Sequence, residues 1–242
     1  MNGFINRRQA GRTLAAQLAD LRNRPDVIVL ALPRGGVPVA FEVARALHAP
    51  LDVVIVRKLG VPDHPELAMG AIAGGKVTVL NRPLMRALRV ETADFDRVLA
   101  AERKELVRRE HLYRGSRPPL TLAGRTVVLV DDGLATGATM SAAITAAAHQ
   151  HAAAIVVAVP VASPQAVEEL RAAGHTVVAA FTPEPFYGVG RWYEDFSPTS
   201  DTEVTTLLAA GWRPPTPAQP HGESPHGAAP GGNANTHHAI AR

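Results

Sequence analysis

Valine-rich runs of strand length recur along the chain: 26–33 (DVIVLALP), 51–58 (LDVVIVRK), 76–81 (KVTVLN), 125–132 (RTVVLVDD), 153–161 (AAIVVAVPV) and 175–182 (HTVVAAFT). Several are almost continuously apolar instead of alternating. A strand of that kind must bury both faces, which antiparallel sheets rarely require and parallel sheets covered by helices do. Helix-like stretches rich in alanine and leucine separate the runs, at 37–48, 92–113, 138–149 and 164–173. Strand and helix in alternation predict a doubly wound α/β fold with a mainly parallel sheet. In such a sheet, ligands bind beyond the carboxyl ends of the strands, so those ends carry the search for function.

The 242 residues are 46% hydrophobic, enough for one compact domain over 1–212 with a sizeable core. From 213 to 242 the chain turns to proline, glycine and histidine with few large apolar side chains, and is expected to be a disordered tail. Cysteine is absent, which excludes disulfides, thiol nucleophiles and cysteine-ligated zinc and suits a reducing cytoplasm. The first 24 residues read as an amphipathic helix, not a signal peptide, and no apolar run is long enough to cross a bilayer. The net charge of +3 comes partly from arginines between 82 and 117 interleaved with acids, the pattern of a solvated helix face laced with ion pairs. Aromatics do not interleave with them, so nucleic acid is not the expected partner.

The run 127–139, VVLVDDGLATGAT, ends a strand in two adjacent carboxylates, Asp131 and Asp132, followed by a loop of small residues. Small side chains let backbone N–H groups approach a phosphate, and a helix beginning at Ala138 adds its partial positive charge. Ala138 stands where a nucleoside triphosphate P-loop needs lysine, so that motif is excluded. Two carboxylates would repel the phosphate unless they face another part of the ligand. Ionised carboxylates only accept hydrogen bonds, so a sugar cis-diol is their natural partner. Ribose 5-phosphate satisfies both halves of the stretch, with a magnesium ion to offset the accumulated charge.

This stretch resembles the phosphoribosyl diphosphate (PRPP) binding motif of the type I phosphoribosyltransferases. LPRGGVPVA (32–40), VRKLGVPDHPELAMGAIA (56–73) and FYGVGRWYEDF (186–196) resemble an uncharacterised branch of the same superfamily. The resemblance covers about 4–211. It implies a small hood subdomain beside the sheet, and transfer of the 5-phosphoribosyl group from PRPP to a nitrogenous acceptor, with Mg2+ and release of pyrophosphate. Carried over by position, Asp131 and Asp132 would bind the ribose hydroxyls and the metal, directly or through water. Ala135, Thr136, Gly137, Ala138 and Thr139 would cradle the 5-phosphate. Arg34, Gly35 and Gly36 would meet the diphosphate, with Arg57 and Lys58 reaching it from the end of the second strand. Phe186, Tyr187, Trp192 and Asp195 would face the acceptor, and 59–75 would close over the site. Purine-salvage members commonly have an aspartate where this chain has Ala135, so a loop carboxylate acting as base is missing. Gly133 also replaces the more usual aliphatic residue, which predicts a looser loop.

Three readings follow. The first is the transferase, and the second is a PRPP-binding regulator without chemistry, with RNA as its partner. The third, an α/β hydrolase, ranks last because no G-x-S-x-G elbow ends any strand. Arg34, Arg57 and Lys58 favour the transferase, since a sensor of ribose phosphate alone needs no diphosphate site. The acceptor and the choice between monomer and homodimer are left open.

Overall fold

The computed structural model describes residues 3–74, 77–118 and 121–212; the tail read at 213–242 lies outside them. β6 (Thr126–Val130) is buried at every position and occupies the middle of a five-stranded parallel sheet. The sheet order is β2-β1-β6-β7-β8, with β1 at Val27–Ala31, β2 at Leu51–Val53, β7 at Ala154–Val161 and β8 at Thr176–Phe181. Alternate residues of the central strands enter opposite cores. Val27, Val29, Ala31, Val128 and Val130 join one apolar cluster, and Ile28, Leu30, Val127 and Leu129 join the other. The unbroken valine runs are therefore the mark of two-sided burial. Helices α1 (Arg7–Ala16), α2 (Gly36–Leu47) and α7 (Asp201–Gly211) supply the first core through Leu14, Val43 and Leu208. Helices α5 (Ala138–His149) and α6 (Pro164–Ala172) supply the second through Ile144 and Leu170.

From β1 the chain crosses to β2 on one side, whereas β6, β7 and β8 run outward on the other. Strand order reverses between β1 and β6, which makes the loops after those two strands the walls of a topological switch point. In-register pairing, from Val27 opposite Thr126 to Ala31 opposite Val130, brings the two strands to an end at the same level.

Two strand expectations fail in an informative way. The run at 51–58 is not one strand: β2 stops at Val53, and β3 (Val56–Val61) leaves the parallel sheet. β3 pairs antiparallel with β4 (His64–Ala73), and β4 with β5 (Val77–Leu80), so the run at 76–81 belongs to this second sheet. Val54 and Ile55, between the two sheets, are themselves buried, so no polar residue marks the break. The segment 59–75 is mostly the two arms of this hairpin, with Asp63 at φ 64 in its turn. A short helix α3 (Arg82–Ala87) and the long α4 (Thr92–Arg114) follow.

The arginines of α4 divide. Arg97 with Asp94, and Arg108 and Arg109 with Glu105, form the surface pairs that interleaved charges imply. Arg114 instead places Nε 3.3 Å from Oδ2 of Asp52, a fully buried carboxylate on β2. Burial pushes the Asp52 carboxyl up, and Arg114 opposes that shift. Arg114→Met should leave the carboxyl buried without its cation, destabilising the fold by about 3 kcal/mol at neutral pH. A raised folded pKa means stability that is present in acid and lost as pH rises, so the deficit should grow with pH. Denaturant titrations of both proteins at pH 5 and pH 8 check this, and an equal deficit at both contradicts it.

Candidate active site

At the switch point the loop after β1 presents Arg34 and Gly35 before α2 begins at Gly36, with the Pro33–Arg34 peptide cis. The loop after β6 presents Asp131 and Asp132. The two loops touch. A Cβ on Gly35 would overlap Asp132 Oδ2, and one on Gly36 would lie 2.7 Å from Val130 O and 2.9 Å from Asp131 Cα. Glycine is required at both places because the acid pair already fills the space a side chain would need.

Asp131 Oδ1 accepts from the backbone N–H of Asp132 at 2.8 Å. Burial, and then the Asp132 charge, push the Asp131 carboxyl well above the usual carboxylate range. Burial also raises Asp132, but Arg7 opposes that shift through a direct bond, Nε to Oδ2 at 2.8 Å. The Tyr193 hydroxyl donates to the Asp132 carbonyl at 2.5 Å, and burial raises its pKa. Arg7 and Tyr193 lie far from the motif in sequence, and sequence reasoning missed both contacts. The one local signal was a cation, not an acid, opening a helix: α1 has no acidic residue in its first turn, where the helix dipole favours one.

The loop beyond the acid pair is fastened from below. Leu134 N–H donates to Val161 O at 2.9 Å, Ser163 N–H donates to Leu134 O at 2.8 Å, and Ser163 Oγ donates to Ala135 O at 2.7 Å. Gly137, at φ 75, turns the chain into α5. Asn6, Asn81, Ser163 and Ser200 cap the starts of α1, α3, α6 and α7 with their side chains. The helices that leave the switch point, α2 and α5, begin on Gly35 and Gly137 with no side-chain cap; α4 also lacks one. The first amides of α5 have no intrahelical acceptor, and Thr136 and Thr139 beside them are exposed. Gly133 does not loosen this loop. Its missing side chain is replaced by Val189, whose Cγ atoms occupy the space a Cβ would take.

The remaining candidates separate. Arg34 is half exposed, 3.6 Å from Asp201 Oδ1, the same oxygen that accepts from the Tyr113 hydroxyl at 2.6 Å. Burial and that bond push Tyr113 up to about 12. Arg57 and Lys58 do not end the second strand but alternate across β3. Arg57 pairs with Glu102 at 2.7 Å. Lys58 lines a cleft of about 470 Å³ between the antiparallel sheet and the start of α5, beside Ala138 and Thr139. Phe186 and Trp192 pack into an aromatic cluster with Phe4, Phe181, Tyr193 and Phe196. Tyr187 is 73% exposed, and the Asp195 carboxylate accepts from Ser197 N–H at 2.9 Å.

The acidic pair, the two abutting glycines and an uncapped helix start thus meet at the switch point of an α/β sheet. The chain matches the phosphoribosyl transferase domain family over residues 5–178, and it belongs to that family. Two curated Mycobacterium tuberculosis proteins, from strains CDC 1551 and H37Rv and provisionally named phosphoribosyl transferases, are 47% identical to it over 208 residues. The match covers 86% of this chain and 47% of theirs, so the chain spans about half the length of these relatives. The crystal structure of TT1426 from Thermus thermophilus is similar at 46% identity and a TM-score of 0.75, covering 88% of this chain and all of that one.

Two outcomes test the site's construction. Gly133→Ala should cost about 1–3 kcal/mol by overpacking, and Val189→Ala in the same chain should return most of it. Additive losses in that double-mutant cycle would contradict the contact. Asp131 has a raised folded pKa, so its stabilising contribution is complete below the ordinary aspartate range near ~4 and is lost as pH rises. Without added metal, Asp131→Asn should therefore gain in melting temperature over the parent as pH goes from 5 to 8. A difference that does not change with pH would contradict this.

Proposed function

We propose that the chain transfers the 5-phosphoribosyl group of PRPP to a nitrogenous acceptor. The bond from the anomeric carbon to the diphosphate oxygen breaks with its electron pair leaving on the diphosphate, a carbon–nitrogen bond forms, and the acceptor nitrogen gives up its proton to water. One observation carries this reading: the Asp131–Asp132 pair is packed against Gly35 and Gly36 beside the uncapped start of α5. From Gly35 through the acid pair to α5, that arrangement offers an amide for a diphosphate, acceptors for a cis-diol and a cradle for the 5-phosphate, the order in which PRPP carries those groups from C1 to C5.

Asp131 and Asp132 would receive the 2- and 3-hydroxyls, and 135–139 the 5-phosphate. The Gly35 amide, with the Arg34 guanidinium, would stabilise the charge that gathers on the leaving diphosphate, whereas the Gly36 N–H donates to Leu32 O at 3.1 Å. Two carboxylates, one already engaged by Arg7, suit Mg2+ held chiefly by ligand oxygens and water, and the ion would neutralise charge on the diphosphate. The antiparallel sheet, across the cleft from α5, would exclude water. In the segment 186–195 the exposed Tyr187 is open to stack on an acceptor. Residues 1–212 are the working domain in this reading, with 213–242 outside it. No helix among the described residues is long and apolar enough to cross a membrane.

The engagement of Arg57 by Glu102 favours a second reading, a PRPP-binding regulator with a weaker diphosphate site. Calorimetric titration with PRPP and Mg2+, followed by a pyrophosphate-release screen of nitrogenous bases, tests both. The transferase should bind PRPP and release pyrophosphate with at least one base. Asp131→Asn/Asp132→Asn should weaken PRPP binding by about 100-fold, the loss of two charge-assisted hydrogen bonds. Binding without release for any base would select the regulator, and no binding by the folded parent would end both readings.

A further inference from the structure

Arg7 reaches Asp132 across 125 positions of sequence. Several backbone contacts deliver it there. Phe4 N–H donates to Trp192 O at 2.7 Å, and Glu194 and Asp195 N–H donate to Phe4 O and Ile5 O at 2.9 Å, so the N-terminal segment lies along 192–195. Asn6 Oδ1 then accepts from Gln9 N–H at 3.0 Å and starts α1, so that Arg7 is the first helical residue.

Its guanidinium is held at three points. Nε donates to Asp132 Oδ2 and Nη1 to Ser197 O, both at 2.8 Å, while the guanidinium carbon lies 4.0 Å from the centre of the Phe196 ring. The side chain is only 11% exposed. A planar fork fixed by a carboxylate, a carbonyl and an aromatic face cannot be replaced by a lysine ammonium without losing part of that hold. An arginine placed against the dipole of its own helix, and sheltered from water, is costly unless its distant partner offsets the cost.

We propose that Arg7 is a positioning residue for sugar recognition. By holding Oδ2 of Asp132, it fixes the carboxylate so that Oδ1 faces a ribose hydroxyl. This rests on the assignment of the acid pair to the ribose diol. A carboxylate has about four acceptor directions, and one filled from behind by Arg7 leaves the front oxygen with a single orientation. Arg7 also balances one of the two adjacent negative charges before any ligand arrives. Its action should therefore be specific to the hydroxyls, because the 5-phosphate is bound by 135–139, which Arg7 does not touch.

Calorimetry of the full chain with Mg2+ separates these terms, using ribose 5-phosphate and its 2,3-dideoxy analogue as probes. The parent should prefer the ribose form by about 10-fold or more, the scale of charge-assisted hydrogen bonds. Arg7→Met should lower affinity for ribose 5-phosphate by about 10-fold while leaving the analogue within about 2-fold, and Arg7→Lys should restore part of the preference. Equal losses for both probes would reduce Arg7 to a structural tether and overturn the proposal, as would an unchanged preference. If Arg7→Met does not fold, Phe196→Leu, which removes the ring beneath the guanidinium, should lower the preference in the same direction; an undiminished preference there overturns the proposal. A parent that binds both probes equally would instead remove the diol assignment itself.

Discussion

Two carboxylates on consecutive residues are pressed against two consecutive glycines, and the rest of the structure serves that contact. Asp131 and Asp132 leave β6 where Gly35 and Gly36 leave β1, and the shared register of the two strands sets both pairs at one level. A shift of one residue between β1 and β6 would turn every core side chain to the other face and part the acids from the glycines. The paired valine runs therefore do more than supply apolar area. They align two loops to within the width of a methyl group.

The electrostatics of that contact work against folding and for binding. Burial raises both carboxyls, and proximity raises Asp131 further. Arg7 relieves one of them, while the start of α5 has no side-chain cap. Side chains cap α1, α3, α6 and α7, whereas the starts of α2, α4 and α5 have no such cap. Charge left unbalanced in the free protein is what a phosphorylated, metal-carrying ligand would balance.

Much of this was legible in the sequence because its causes are local. Continuous apolar runs marked the strands of the central sheet, and the helix expected at 138–149 is Ala138–His149. The acid pair and the small-residue loop stand where the end of a strand read from sequence puts them, after β6. The second sheet was hidden because 51–58 remains apolar through the break at Val54 and Ile55, so two strands read as one. The same reading set Arg57 at the end of the second strand, whereas it lies on β3 and pairs with Glu102. The fit of Gly133 to Val189 and of Arg7 to Asp132 depends on residues far apart in the chain, and no spacing rule finds such partners. The aromatic segment divides the same way: Phe186 and Trp192 pack against the aromatic cluster, and Tyr187 faces solvent.

A crystal structure of the chain with PRPP and Mg2+ bound tests the central claim most directly. The ribose hydroxyls are expected on Asp131 and Asp132, the 5-phosphate on the amides at the start of α5, and the diphosphate over Gly35 and Gly36. Ligand density seated elsewhere, with the acid pair and both glycine loops untouched, would contradict the account.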